Sequence, residues 1–93
     1  MQTFEWYGPK ARINIKKHGV SFDEAKTVFL DENAIEIFDR EVDAEDRYVM
    51  FGRSSKGRVL AVCFCLRDWD SVIWLISARK ATAKESAEYR GAI

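Results

Sequence analysis

The chain has one proline, five glycines and two cysteines in 93 residues. So little proline and glycine excludes a flexible linker or a low-complexity tail. The cysteines, Cys63 and Cys65, stand at i and i+2 in an apolar run. On a strand such positions share a face, so they are expected as small, reduced hydrophobes, for which a reducing cytoplasm is the fitting compartment. There is one histidine, His18, so the four ligands of a structural zinc site are not expected, and no cofactor is expected. The longest apolar run, Val59 to Leu66, is eight residues long, against the ~18 or more of a membrane span. The opening segment, Met1 to Trp6, has neither the basic nor the apolar region of a signal peptide. No membrane partner and a cytoplasmic location are therefore expected.

What is present is ordinary globular material, 47% hydrophobic and 32% charged. That amount of chain suits one domain over residues 1–93, with a modest core that removes ~60–70% of the unfolded surface from water. Fifteen basic residues balance fifteen acidic ones, but they are segregated. Residues 1–20 carry a net +3, residues 21–46 a net −8 and residues 47–67 a net +5. A face that collected the basic segments would attract phosphate; the competing explanation is that the charges only solvate the surface.

Thr3 to Trp6 has the character of a short edge strand. Pro9 then opens a basic helix, carrying Lys10, Arg12, Lys16 and Lys17, that ends at Gly19. Ala11 and Ile15, spaced i, i+4, are expected to face the core. Ser21 and Glu24 form a capping box for a second helix reaching Phe29 or Leu30, with Ala25, Val28 and Phe29 as its buried stripe. The period then changes to two. Strands are expected at 34–38, 47–53, 58–66 and 71–77, with an acidic loop over 39–46 and turns at Ser54-Ser55-Lys56-Gly57 and Arg67-Asp68-Trp69-Asp70. Thr82 and Glu85 form a second capping box, opening a helix to about Arg90. This order predicts an α+β fold with a four-stranded antiparallel meander sheet, two N-terminal helices and one C-terminal helix. Val62, Phe64, Ile73 and Leu75 should be buried.

Several segments taken together carry a family signature: His18-Gly19-Val20-Ser21-Phe22-Asp23-Glu24-Ala25 after the basic helix, Glu45-Asp46-Arg47 opening the second main strand, Gly52-Arg53-Ser54 leading through Lys56-Gly57-Arg58 into the third, and Ile76-Ser77-Ala78-Arg79-Lys80-Ala81 closing the fourth, with Glu85 and Tyr89 beyond. In order and spacing the chain resembles the BrnT family of bacterial type II toxins over nearly its whole length. The resemblance implies a RelE-like fold and an RNA-cleaving activity that arrests growth. It also implies a BrnA-like antitoxin with a ribbon-helix-helix DNA-binding domain, expected to bind partly through the basic surface.

Metal-independent RNA cleavage needs a proton taken from the 2′-hydroxyl, stabilised charge on the phosphorane and a proton for the 5′-oxygen. Arginine suits the middle task because its guanidinium grips phosphate as a fork. The expected catalytic residues are Arg79 and Lys80 at the end of the fourth strand, Arg53 at the end of the second, and His18, a residue type that exchanges protons near neutral pH. Lys16, Lys17, Arg58 and Trp74 are expected to bind RNA, Trp74 by stacking on a base. Each has a competing structural role: Arg79 paired to an acid, Arg53 bracing the acidic loop, Lys80 solvated, His18 capping its helix. Arg47, directly after two acids, is expected to be structural, and Tyr89 to pack.

The chain departs from the family pattern in three places. Tyr7-Gly8 stands where an aspartate usually precedes the first helix. Phe64 lies near a position often held by histidine, and Trp74 near one often held by arginine. Three readings therefore stay open: a ribonuclease toxin, a weakly active or inactive toxin-fold protein that mainly binds an antitoxin or RNA, and a family-independent RNA- or protein-binding module.

Overall fold

The computed structural model describes residues 2–91. The elements are β1 (Thr3–Glu5), α1 (Gly8–His18), α2 (Phe22–Ala25) continued by a 3₁₀ segment (Lys26–Leu30), β2 (Ile35–Val42), β3 (Glu45–Arg53), β4 (Val59–Arg67), β5 (Val72–Lys80) and α3 (Ala83–Gly91). The sheet has five strands in the order β1-β5-β4-β3-β2. From β2 to β5 it is the expected antiparallel meander. It is not four-stranded and wholly antiparallel, because β1 joins the β5 edge in parallel, Thr3 to Glu5 beside Val72 to Trp74. The helices carry the chain from β1 across to β2 at the far edge, and the meander returns it to β5, so the parallel neighbours are joined by a long connection.

Local chemistry sets the element ends. Gly19 closes α1 in the left-handed region at φ 69°, and its N–H donates to the Ile15 carbonyl at 2.8 Å. Ser21 Oγ accepts from the Glu24 N–H at 3.0 Å, but the Glu24 carboxylate does not return to Ser21. It turns inward to Arg58 and Ser54. Thr82 and Glu85 form the full reciprocal box, with the Thr82 N–H donating to Glu85 at 2.8 Å and the Glu85 N–H to Thr82 Oγ1 at 3.2 Å. The expected acidic loop over 39–46 is instead mostly strand. Asp43 and Ala44, at φ 52° and 63°, make a two-residue turn of the hairpin type, and pairing resumes with Val42 opposite Glu45.

The main core lies on one sheet face. Val20, Phe22, Ala25 and Val28 pack there on Leu60, Val62, Phe64, Ile73, Leu75 and Ala78. Gly52 permits this approach: a Cβ at that position would lie 2.7 Å from Val28 Cγ1 and 3.0 Å from Ala34 Cβ. α1 lies against the β5 edge. Its buried residue is Asn14, 3% exposed, whereas Ile15 is 50% exposed. Ala11 packs as expected, but the inward position next to it takes an amide because the β5 edge beyond β1 has backbone groups to satisfy. On the opposite face, α3 covers one end only, through Tyr89 on Phe51 and Ala61.

Candidate nucleic-acid interface

In an antiparallel pair, residues directly opposite one another share a face. On the face away from α2, register sets up successive rows. Arg40, Arg47, Cys65 and Trp74 form one row; Ile37, Val49, Cys63 and Ser77 the next; Ile35, Phe51, Ala61 and Arg79 a third. Tyr89 covers the third row. The first two rows form a surface in which apolar strand positions alternate with arginine, thiol, hydroxyl and indole groups.

The arginines here differ in their partners. Arg67 lies 4.3 Å over the Trp74 ring and donates to Glu45 at 3.1 Å. Arg40 meets Asp39 at 3.5 Å. Arg79 donates to both oxygens of Glu85, at 2.7 and 2.9 Å, and this bond holds the Glu85 carboxyl down at about 2. Arg47 has no such partner: its Nε is buried without an acceptor, the one such side-chain atom among the described residues. A buried donor left unpaired is unfavourable, and Arg47 is the open-face arginine whose guanidinium has no ion pair among the described residues. Burial pushes the Cys63 thiol up, against the nearby Arg47 charge, so Cys63 is a neutral thiol rather than a nucleophile.

Beside this surface, a cleft of about 450 Å³ between α1 and β5 is lined by Lys10, Lys17, His18 and Ser77. Ser77 belongs to the second row, so Lys17 and His18 border the open face there. Arg79 follows two positions along the same strand.

The structure therefore places Trp74 and Arg79 on the open face of β5, two rows apart, with Lys17 and His18 in the cleft at its side. It places the other expected residues elsewhere. Arg58 is committed to Glu24 at 2.6 and 2.8 Å and to the Gly19 carbonyl at 2.9 Å. Arg53 donates from Nη1 to the Gly57 carbonyl and from its N–H to Asp31, bracing the hairpin beyond α3. Lys80 is exposed and opposite Leu60, on the helix-covered side. Lys16 is exposed on α1 outside the cleft lining. Phe64 is 1% exposed in the main core, so the departure there does not touch the open face, whereas Trp74 lies on it. Arg47 is the residue that sequence reasoning set aside. Its signal was phase: Arg47, Val49 and Phe51 share one face of β3, and a charge on the apolar phase of a strand needs a reason.

The fold is an antiparallel meander with α2 packed on one face and α3 over one end of the other, and it falls in the class of small ribonuclease toxins. The description of a ribonuclease toxin, BrnT, of type II toxin-antitoxin systems fits residues 6–85. The chain belongs to the BrnT family. It is similar to the 1.1 Å crystal structure of the Brucella abortus ribonuclease toxin, BrnT, with 25% identity and a TM-score of 0.68, over 88% of this chain and 99% of that one. No curated protein matches.

Proposed function

We propose that this protein is a metal-independent endoribonuclease toxin that holds RNA across the open face of its sheet, and that a BrnA-like ribbon-helix-helix antitoxin neutralises it in the cytoplasm. The observation that carries the reading is that Arg47 has no ion pair among the described residues and stands in the row that also holds Trp74. Arg47 grips the scissile phosphate. Trp74 stacks on a base, the position that Arg67 occupies over its ring. The 2′-oxygen attacks phosphorus, its proton passes to water, and the P–O5′ bond breaks to leave a 2′,3′-cyclic phosphate. His18, at the β5 side of the face, protonates the departing 5′-oxygen. Lys17 and Arg79 add positive charge along the strand, Arg79 through a guanidinium already shared with Glu85.

The same contacts favour a second reading, in which the protein binds its antitoxin and cleaves weakly. Glu85 occupies the Arg79 fork, and Arg67 covers Trp74. Incubating a defined RNA with the unmutated protein separates the two. Under the first reading, Arg47→Ala slows cleavage by ~10²–10³-fold, the usual effect of losing one placed charge donor. Arg47→Lys falls between, because lysine keeps the charge without the fork. If Arg47→Ala cuts as fast as the parent, the phosphate is held elsewhere.

A further inference from the structure

We infer that the helix-covered face carries a separate docking groove for the antitoxin, and that the antitoxin segment it takes is apolar with basic residues flanking the apolar ones. The inference rests on the antitoxin reading above and adds where, and by what chemistry, that partner is held. α2 and the 3₁₀ segment do not reach across the whole face. Beyond them a groove of about 390 Å³ opens, floored by Phe4, Phe29, Met50 and Leu66. Leu30 forms its lip, 82% exposed. Phe38, 56% exposed, stands edge-on to Tyr48 at 6.0 Å on the same face. A monomer seldom leaves such side chains together in water unless something covers them.

Charge identifies what covers them. Leu66 and Tyr48 also line an adjoining acidic hollow with Asp43, Glu45, Asp46 and Asp70, and Glu36 lines the apolar groove. The two linings hold five carboxylates and no lysine or arginine. Of the five, Glu45 turns its carboxylate to Arg67 on the open face; the other four, Glu36, Asp43, Asp46 and Asp70, have no ion pair among the described residues and supply the charge here. RNA phosphate is repelled from this face, as a second acidic surface would be. A polypeptide presenting apolar side chains to the floor and lysine or arginine to the rim is complementary to it. The acidic turn supplies an anchor as well. Asp68, Trp69 and Asp70 all adopt the left-handed region, at φ 53°, 57° and 66°, and hold Trp69 99% exposed next to Asp70 of the acidic hollow. Tryptophan dominates binding hot spots, and backbone strain of this kind collects at binding sites. Protein partner and RNA are thereby assigned to opposite faces of one sheet.

The test is calorimetric titration of the full chain with its purified antitoxin at ~0.1 M salt, where surface charges act over ~10 Å. Glu36→Lys with Asp46→Lys, both at exposed positions, should weaken binding about tenfold or more, and Leu30→Arg should weaken it as well. RNA cleavage by the free variants should stay at the parental rate, and Arg47→Ala should leave antitoxin affinity unchanged. Parental affinity in the charge-reversed variant, or affinity lost in Arg47→Ala, would overturn the groove assignment and put the antitoxin on the basic face. A groove variant that abolishes self-association in sedimentation, with antitoxin affinity intact, would make the occupant a second copy of this chain and overturn the assignment too. A parent protein that binds no antitoxin would instead remove the reading on which the inference rests.

Discussion

The side chain of Asn14 bonds both backbone groups of Ala78: Oδ1 accepts from its N–H at 3.1 Å, and Nδ2 donates to its carbonyl at 2.8 Å. Nδ2 also reaches the Val20 carbonyl at 2.9 Å. One amide thus replaces a neighbouring strand where β1 has ended, and ties α1 to the edge that carries Ser77 and Arg79. Asn14→Ala leaves several buried backbone groups unpaired, at roughly 1–3 kcal/mol each. We expect it to lose about 2–4 kcal/mol in urea unfolding. Asn14→Asp should lose a comparable amount, since a carboxylate would face two carbonyls. A loss under about 0.5 kcal/mol, the size of a neutral surface change, would contradict this role.

Two carboxylates make the fold acid-sensitive. The hydrogen bond from Arg58 holds Glu24 down from 4.5 to about 2, against the opposing effect of burial. Arg79 does the same for Glu85. A depressed folded pKa stabilises the protein above the unfolded value, and the contribution is lost as pH falls through the folded value. Stability should therefore be level above about pH 5 and fall between about pH 4.5 and 2, by up to ~1.4 kcal/mol per pH unit for each carboxylate. Denaturant titrations over this range should show a shallower slope for Glu24→Gln. An unchanged slope would mean that Glu24 does not link folding to protons.

Close approach, rather than backbone freedom, is the reason for Gly52. Gly52→Ala would press its methyl against Val28 Cγ1 and the Val28 carbonyl, the latter at 3.3 Å. Overpacking of this kind destabilises by roughly 1–3 kcal/mol. Thermal unfolding followed by circular dichroism should show a lower midpoint. Gly52→Ala combined with Val28→Ala should recover part of the loss if the clash is the cause.

Where hydrophobic periodicity was strong, the fold was legible in the sequence. The four meander strands, the caps at Ser21 and Thr82 and the burial of Val62, Phe64, Ile73 and Leu75 all follow from local pattern. β1 was visible as a strand, but its parallel pairing was not, because three residues carry no information about their distant partner. The Asp43-Ala44 turn was hidden because neither residue is the asparagine or glycine that such turns favour. Asn14 was missed for a similar reason: apolar spacing pointed to Ala11 and Ile15, whereas the inward requirement at the second position was hydrogen bonding. Sequence position alone could not separate free arginines from paired ones. Arg58 and Arg79 meet acids 34 and 6 residues away, and only the folded register shows which guanidinium is left without a partner.

The Arg79–Glu85 pair makes the last prediction. Glu85 caps α3 through Thr82 and also fills the Arg79 fork, so helix docking and Arg79 availability are one linked property. Arg79→Ala removes the partner that anchors Glu85 and one positive charge from the open face. The pair is partly exposed, with Arg79 at 42%, so solvent screens it, and we expect a loss of about 1 kcal/mol. Because its fork is already filled, Arg79→Ala should slow RNA cleavage only about tenfold, less than the ~10²–10³ of a primary clamp. Glu85→Gln separates the two functions. It weakens the cap and the ion pair, lowering stability by about 1 kcal/mol, yet it frees the guanidinium, so RNA affinity should rise a few-fold at low salt. Binding of a non-cleavable RNA, measured at two salt concentrations alongside unfolding, checks both. If Glu85→Gln leaves RNA affinity unchanged and Arg79→Ala lowers cleavage as far as Arg47→Ala, Arg79 is the primary clamp and Glu85 no brake on it.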